Sequence, residues 1–307
     1  MKTLAQKTIL LTGAAGGIGT FIARALVRAE AKVVCVGRSP DALSALAKDL
    51  KAKGGQAIAQ PFDLQNIADM PAWLHTIEAQ AGPVDVLINN AAIEKFRPFQ
   101  DYSLADIQVM SSTNLLAPMA LCRLLLPGML ARKTGHIVNI SSGAGKRGAP
   151  YNSVYSATKA GLINWSDALR LELSDTPVNV SIVCPGITDA GMFHALDTEA
   201  PEGMVVTPPA DVAEVVLQAI LKNQPEIMLD GLTNRVFAAI CQLSPQLGDR
   251  ILHKVGIVET NRECAHRLAQ KTKQANDASS DLPSDTPSNL PNGTTRRSQS
   301  TLVTADS

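Results

Sequence analysis

The sequence predicts an α/β fold: a doubly wound parallel sheet of about seven strands, flanked by helices on both faces. Three observations predict it. Short apolar runs alternate with helical patterns to about residue 230. The runs lack inward/outward alternation, which is typical of strands covered on both faces. A glycine-rich turn directly follows the first run. Alternating strands and crossover helices form right-handed βαβ units, and these build a doubly wound sheet.

Seven apolar runs are the candidate strands, and helical patterns fill the intervals between them. The runs are residues 8–12, 32–37, 57–61, 84–89, 136–141, 179–184 and a weaker 226–229. The second interval begins with Ser39 and Pro40, an N-cap serine followed by a proline at the first helical position. It ends near Lys53, where Gly54 and Gly55 predict a C-cap.

The chain is predicted to have three parts. Its 307 residues alone would suggest about two domains. The unbroken strand–helix alternation favours instead one domain over residues 1–230, with a helical extension at 231–269. Residues 270–307 are rich in Ser, Thr, Pro, Asn and Asp, with few apolar residues to bury. We therefore expect this polar tail to be disordered.

Composition excludes several classes of protein. The net charge is zero and aromatic residues make up 4% of the chain, so a basic nucleic-acid-binding surface is not expected. The five cysteines lie far apart without a C-x-x-C pair, which predicts neither a disulfide framework nor a metal site. No run approaches the ~20 apolar residues of a membrane span. We expect a soluble, cytoplasmic protein.

The segment T-G-A-A-G-G-I-G at residues 12–19 joins the first strand to the helical pattern at 18–29. Glycines allow a tight turn and let the backbone approach a pyrophosphate at the helix N-terminus. Gly13, Gly17 and Gly19 give the spacing G-x-x-x-G-x-G, which differs from the G-x-G-x-x-G of the usual dinucleotide fingerprint. Taken alone, the segment also fits a turn that binds no ligand.

Tyr155 and Lys159 are four residues apart, so they share one face of a helix. Of the three tyrosines, only Tyr155 has a lysine at this spacing. An isolated tyrosine has a pKa near 10 and is a poor base at neutral pH, but a nearby cation lowers that pKa. Ser142 lies thirteen residues earlier, just after a candidate strand. These residues indicate proton exchange with a substrate oxygen.

Over roughly residues 5–230, these motifs resemble the single-domain, Rossmann-like branch of the short-chain dehydrogenase/reductase family. The resemblance implies hydride transfer between a nicotinamide cofactor and a secondary alcohol/ketone pair, with Tyr155 as general acid/base. It implies that Ser142 bonds the substrate oxygen and that Lys159 also holds the nicotinamide ribose. Asn114 would shape a helix and hold a proton-relaying water, although alone it suggests a helix-interior asparagine bonded to local backbone. Ser141 competes for the serine role.

Arg38 and Ser39 follow the second strand, and no carboxylate occurs before Asp41. An acidic residue here favours NAD and an arginine accommodates a 2′-phosphate, so we expect NADP, with NAD the lesser alternative. Arg38 would bind this phosphate and stack on the adenine, with Ser39 assisting; the competing interpretation of Arg38 is a solvated arginine at a strand end. The resemblance completes the expected cofactor site with Thr12, Gly13, Gly17, Ile18, Gly19, Asp63, Leu64, Asn90, Ala91, Tyr155, Lys159, Pro185, Gly186 and Thr188.

Two positions depart from the family pattern. Ala92 replaces a glycine after the fourth strand, which argues against a positive φ there. Ala190 stands where the family usually has a threonine beside the nicotinamide. Thr188 or a shifted backbone would then bind the carboxamide.

The family closes a segment over its substrate at the position of residues 189–208. Its apolar residues are Met192, Phe193, Leu196, Met204 and Val205. They predict a lipophilic substrate, unless they pack against the protein's own core. Residues 232–257 carry apolar residues at helical spacing, which predicts a lid or a subunit contact, with peripheral membrane attachment the minority alternative.

The family resemblance also implies a homo-oligomer. The alternative to an enzyme is a catalytically silent NADP-binding sensor or scaffold protein. The complete set of Asn114, Ser142, Tyr155 and Lys159 argues against it, since a non-enzyme has no use for all four.

Overall fold

A computed structural model describes residues 1–196, 200, 205–229 and 231–280. At its centre is a seven-stranded sheet in the order β3-β2-β1-β4-β5-β6-β7, and every strand pair is parallel. The strands are β1 (Thr8–Thr12), β2 (Lys32–Gly37), β3 (Gln56–Pro61), β4 (Val86–Asn89), β5 (Gly135–Ile140), β6 (Val178–Cys184) and β7 (Glu226–Met228). The chain builds one half of the sheet outward from β1 and the other half from β4, which confirms the predicted doubly wound fold.

Helices connect the strands. They are α1 (Gly17–Arg28), α2 (Pro40–Ala52), α3 (Met70–Ala81), α4 (Leu104–Ser111), α5 (Ala117–Ala131), the short α6 (Gly143–Lys146), α7 (Ser153–Glu172), α8 (Met192–Leu196) and α9 (Pro209–Lys222). Beyond β7 follow α10 (Gly231–Leu243), α11 (Pro245–Lys254) and α12 (Ile257–Ser280). Ser39 caps α2, as predicted, with its Oγ accepting a hydrogen bond from the Ala42 amide at 3.3 Å.

Alternate residues of each central strand enter two different cores. In β1, Ile9 and Leu11 pack with residues of α1, α2 and α9. Leu10 points to the opposite face and packs with residues of α3, α5 and α7. All five β1 residues are buried because helices cover both faces of the sheet. This double cover explains why the strand sequences show no alternation.

The segment Leu104–Ala131 forms continuous helix through α4, a π-helical turn (Ser112–Leu116) and α5. An 18-residue stretch of it has a mean hydropathy of 1.5, and among the described residues it alone is long and apolar enough to cross a membrane by those two criteria. Such a stretch was not predicted, because polar residues interrupt its apolar ones. Leu121, Leu125 and Met129 belong to the core under the sheet, so the segment also fits a core helix.

Helix α12 continues to Ser280, past residue 270 where the polar tail was predicted to begin. Lys271, Lys273 and Gln274 favour helix, so a polar composition here did not exclude one. The rest of the predicted tail, 281–307, lies outside the described residues. Contacts divide the chain after Ala269, and the first unit, Met1–Ala269, contains both the predicted domain 1–230 and the extension 231–269.

Candidate active site

A cavity of about 810 Å³ opens at the carboxyl ends of the parallel strands, where open α/β sheets bind their ligands. Fifteen of the predicted site residues line it: Gly13, Gly17, Ile18, Gly19, Arg38, Asp63, Leu64, Asn90, Ala91, Ser142, Tyr155, Lys159, Pro185, Gly186 and Thr188. Three others, Thr12, Ser39 and Asn114, do not reach its surface. The topology therefore gathers residues from six strand ends, those of β1 to β6, around one space.

The glycine turn leaves no room for side chains. Gly13 has φ +65°, and a Cβ there would lie 2.8 Å from the Ala91 Cα. A Cβ on Gly19 would lie 2.0 Å from the Gly13 carbonyl oxygen, and one on Gly17 would lie 2.6 Å from the amide nitrogen of Gly191. The spacing G-x-x-x-G-x-G thus places a glycine at each of three close backbone contacts.

Thr12 and Asn90 fasten this turn to the end of β4. The Thr12 Oγ1 accepts hydrogen bonds from the amides of Asn90 at 3.0 Å and Ala91 at 3.1 Å. In return, the Asn90 Nδ2 donates to the carbonyls of Thr12 and Gly13 at 3.0 and 3.2 Å. The side chains of Thr12 and Asn90 thus hold the glycine turn against the end of β4. Ala92 has no positive φ, as its replacement of glycine predicted.

Arg38 lies exposed on the cavity rim at the end of β2. Within the described part of the chain its guanidinium makes no ion pair, so its charge faces the cavity rim uncompensated. The Ser39 Oγ accepts the capping bond of α2, which leaves its hydroxyl proton available, so its assistance to Arg38 stays a prediction.

Ser142, Tyr155 and Lys159 meet at one wall of the cavity. Ser142 is the second residue after β5 and caps α6, its Oγ accepting from the Ala144 amide at 3.1 Å, which leaves its hydroxyl proton free. Its side chain lies close enough to Tyr155 to lower the pKa of the phenol. The Lys159 Nζ lies 5.6 Å from the centre of the Tyr155 ring and donates to the Ile140 carbonyl at 2.8 Å. The competing Ser141 instead donates its hydroxyl to the Lys159 carbonyl at 3.0 Å. Its engagement favours Ser142 for the predicted serine role.

The electrostatics of this wall differ from expectation. Burial raises the pKa of Tyr155 above its ordinary value, the nearby Glu94 raises it further, and the hydrogen bond with Ser142 opposes both. Burial lowers the pKa of Lys159 to about 8. In the protein without cofactor, desolvation therefore raises the pKa of Tyr155 more than Lys159 was expected to lower it. The Lys159 ammonium lies beside the ring and donates to a backbone carbonyl.

Asn114 lies in the π-helical turn and is 1% exposed. Its Oδ1 accepts from the Ile93 amide at 2.8 Å, and its Nδ2 donates to the Ile93 carbonyl at 2.9 Å and to the Thr158 Oγ1 at 3.1 Å. These partners are 21 and 44 residues away, so the local-backbone alternative is wrong. Asn114 ties the loop after β4 to the helix that carries Tyr155.

The segment after β6 folds onto the glycine turn. Thr188 pairs with Thr207 in a short parallel bridge. Ala190 is buried against Gly17, next to Gly191 with φ +45°. Of the predicted substrate-covering residues, Met192, Phe193 and Leu196 line the cavity, Val205 is 71% exposed, and Met204 lies outside the described residues.

Sequence reasoning missed the residues that complete the cavity. Glu94 and Asn152 line it beside Tyr155. The helices α10–α12 contribute Phe237, Ala238, Ile251, Leu252, Val255, Ile257, Thr260, Asn261 and Cys264. Helix α12 is attached to the segment before Tyr155, since Asn261 donates to the Pro150 carbonyl at 3.0 Å and Arg262 to the Tyr151 hydroxyl at 2.7 Å. The extension thus occupies the place of a lid.

Comparison with known families identifies the class of protein. The short chain dehydrogenase family matches residues 7–201. The chain therefore belongs to the short-chain dehydrogenase/reductase family of oxidoreductases.

Individual relatives agree with this assignment. Ketoacyl reductase HetN of Nostoc sp. (strain PCC 7120 / SAG 25.82 / UTEX 2576) is 47% identical over 272 residues, covering 86% of this chain and 94% of the relative. Mouse dehydrogenase/reductase SDR family member 7B is 32% identical, covering 81% of each chain. A metagenomic short-chain oxidoreductase in complex with NADP matches with a TM-score of 0.64 and 32% identity, covering 74% of this chain and 97% of its own. A variant of actinorhodin polyketide ketoreductase with NADPH matches with a TM-score of 0.69 and 29% identity, covering 75% of this chain and 98% of its own.

Proposed function

We propose that this protein is an NADP(H)-dependent reductase that interconverts a lipophilic ketone and its secondary alcohol. The observation that carries the proposal is the meeting of Ser142, Tyr155 and Lys159 on one wall of a cavity whose far end is formed by the glycine turn and Arg38. Two comparisons support the ketone-reducing direction, since one relative is named a ketoacyl reductase and one similar structure is a ketoreductase.

The cofactor is NADP(H) because of the charges at the two ends of its site. The turn at Gly13–Gly19 presents backbone close to the N-terminus of α1, where a pyrophosphate is stabilised. At the rim, Arg38 offers an unpaired guanidinium to a 2′-phosphate, with no acidic residue in the place that favours NAD. The two similar structures that hold NADP or NADPH support this choice.

Tyr155 supplies the proton in the direction of reduction. NADPH, when bound, supplies the hydride to the carbonyl carbon. Because burial raises the pKa of Tyr155, its phenol stays protonated at neutral pH, which is the form that ketone reduction consumes. The Ser142 hydroxyl, which lies beside the same phenol, steadies the substrate oxygen. Lys159, whose Nζ lies beside the Tyr155 ring, holds the nicotinamide ribose. It also supplies the proton that replaces the one Tyr155 gives to the substrate.

The substrate is lipophilic because apolar side chains form the mouth of the cavity. Phe193 and Leu196 contribute from α8, and Leu252, Val255 and Ile257 from the C-terminal helices. The cationic Lys146 and Arg147 at the cavity are paired with Glu226 and Asp249, so they offer no uncompensated clamp for an anion.

Turnover and cofactor binding together test the proposal. NADPH binding is measured by fluorescence titration, and NADPH oxidation is followed with a panel of hydrophobic ketones. We expect Tyr155→Phe to lower kcat by about 10²- to 10⁴-fold while leaving NADPH affinity unchanged. The matched control is Tyr102→Phe, a buried tyrosine outside the cavity whose hydroxyl donates to the Lys95 carbonyl.

The control variant should retain turnover. A protein that binds NADPH, reduces no ketone and is indifferent to Tyr155→Phe would instead be the silent sensor or scaffold.

We further propose that the protein is a homo-oligomer. Leu116, Leu124 and Leu171 are large apolar side chains exposed on α5, the preceding turn and α7. A second copy would remove them from water. Light scattering after size-exclusion chromatography should give a mass at least twice the 32.5 kDa of one chain; a monomeric mass at micromolar concentration would reject this.

A further inference from the structure

Glu94 is a carboxylate that lines the cavity and forms no salt bridge with the residues that the structure describes. It follows Ile93, the residue held at both backbone atoms by Asn114, and it lines the cavity. The neighbouring cations Lys95 and Arg97 both pair with Asp106 instead. Within the described residues, Glu94 forms no ion pair and accepts one side-chain hydrogen bond, from the Nδ2 of Asn152.

Asn152 leaves its own acceptor unused. It is 1% exposed and lines the same cavity, and its Oδ1 has no hydrogen-bond partner in the part of the chain that the structure describes. Buried side-chain oxygens are rarely left without a donor, because losing water without replacement costs free energy. Asn152 therefore holds a buried acceptor oxygen that the described residues do not satisfy, next to a Glu94 carboxylate that receives its one side-chain donor from the same Asn152.

The position of the pair points to the substrate. Asn152 precedes α7, three residues before Tyr155, which corresponds to about 4.5 Å along a helix axis. Both members thus flank the place where the substrate carbonyl must meet the phenol. A neutral donor suits them better than a cation, because Lys159 already supplies positive charge to Glu94. Burial also raises the pKa of the Glu94 carboxyl, which a hydrogen-bond donor would oppose.

We propose that Glu94 and Asn152 bind a neutral hydrogen-bond-donating group, a hydroxyl or an N–H, that the substrate carries close to its reactive carbonyl. The inference rests on the proposed ketone reductase activity and narrows its substrate class. The preferred substrates are apolar ketones with one such donor, hydroxyketones being the simplest.

Matched pairs of ketones test the inference. Each pair has the same carbon skeleton, with and without a hydroxyl placed two, three or four carbons from the carbonyl. We expect the wild-type protein to favour the hydroxyketone of at least one pair by about 10- to 100-fold in kcat/KM, the range for a hydrogen bond to a charged group. Glu94→Leu should bring that ratio close to one by slowing the hydroxyketone more than its partner, since any change in the pKa of Tyr155 acts on both ketones of a pair.

Two further variants separate recognition from folding. Glu94→Gln keeps the shape and one acceptor oxygen, so it should lose only part of the ratio while retaining melting temperature and NADPH affinity. Glu172→Gln, at the exposed far end of α7, is the matched control and should change nothing. A purely structural role for Glu94 would slow both ketones of a pair equally and leave the ratio unchanged.

The inference is overturned if wild-type protein shows no preference in any pair, or if Glu94→Leu preserves the preference. Failure of the proposed function looks different, because then no ketone is reduced although NADPH binds. In that case the affinities of the same ketone pairs for the NADP⁺-loaded protein are measured by calorimetry, which needs no turnover. The wild type should bind the hydroxyketone of a pair more tightly, and Glu94→Leu should lose that preference.

Discussion

The side chain of Asn114 binds both backbone atoms of Ile93, accepting from its amide at 2.8 Å and donating to its carbonyl at 2.9 Å. A single side chain thereby substitutes for a strand partner in the loop after β4. The same Nδ2 donates to Thr158 on α7, and Thr158 in turn donates to the Tyr155 carbonyl at 2.7 Å. The Asn114 side chain therefore connects the loop that carries Glu94 to the helix that carries Tyr155.

Replacing Asn114 should damage both stability and catalysis. Asn114→Ala leaves the Ile93 backbone groups unpaired, and we expect a loss of about 1–3 kcal/mol in the free energy of unfolding, measured in urea. Asn114→Asp keeps the acceptor for the Ile93 amide and should lose less. The control is Asn164→Ala, an exposed asparagine of α7 bonded only to the Ala160 carbonyl. Equal effects of Asn114→Ala and Asn164→Ala would contradict this role.

Features that depend only on residues close together in the chain could be predicted from the sequence. The strands β1 and β2 have the predicted limits, because a run buried on both faces is continuously apolar and ends where burial ends. Ser39 and Pro40 begin α2 for reasons contained in four residues. Tyr155 and Lys159 share a helix face through spacing alone.

The unpredicted parts depend on contacts distant in sequence. Glu94 and Asn152 meet although 58 residues separate them, so neither stood out in the sequence. Helix α12 reaches the loop before α7 across 111 residues, through Asn261 and Arg262. The pKa of Tyr155 was misjudged for a related reason: spacing revealed its cation, whereas burial is a property of the whole fold.

The contact between Gly17 and Gly191 should limit substitution in the glycine turn. An alanine Cβ at position 17 would lie 2.6 Å from the Gly191 amide nitrogen, so the segment after β6 would have to move. We expect Gly17→Ala to weaken NADPH binding by about tenfold or more, ~1.4 kcal/mol, in a fluorescence titration. Gly82→Ala, at φ +81° with nothing within 4 Å, should cost stability alone. Unaltered NADPH affinity in Gly17→Ala would show that the contact does not shape the site.

Arg38 should determine the choice between the two nicotinamide cofactors. Its guanidinium is exposed on the cavity rim, ready for a bidentate contact with a 2′-phosphate. Arg38→Ala should raise the Kd for NADPH by about 10- to 100-fold, as loss of one charged hydrogen-bonding partner predicts, and leave that for NADH nearly unchanged. Arg28→Ala, which removes a surface pair with Glu214, is the control. A parallel weakening of both cofactors would argue for the solvated-arginine alternative.

The two directions of the reaction should respond oppositely to pH. Because burial raises the pKa of Tyr155, its phenol persists through neutral pH, and reduction should be flat from pH 6 to about 8. Above that, reduction should decline as Lys159, whose pKa is lowered to about 8, loses its proton. Alcohol oxidation needs the phenolate and should rise with pH across the same range. Profiles of kcat/KM in both directions measure this; parallel profiles would exclude Tyr155 as the shared acid and base.

His136 should make the fold sensitive to acid. It is fully buried in β5, its Nε2 lies 2.8 Å from the Ser181 Oγ, and burial lowers its pKa from 6.5 to about 3. Between pH 6.5 and about 3, His136 is protonated in the unfolded chain and neutral in the folded chain. Stability therefore rises with pH through this window and is lost as pH falls from 6.5 toward 3.

We expect protonation of His136 in the unfolded chain to lower the free energy of unfolding by up to about 1.4 kcal/mol per pH unit below 6.5. His136→Gln cannot titrate, so its free energy of unfolding should fall less steeply with acid, even if it is about 1 kcal/mol less stable at pH 7 through the changed bond to Ser181. Urea unfolding at pH 7, 6, 5 and 4 measures both slopes, with the exposed His75→Gln as control. If wild type and His136→Gln lose stability in parallel while His75→Gln does not, the acid sensitivity originates elsewhere than in this buried imidazole.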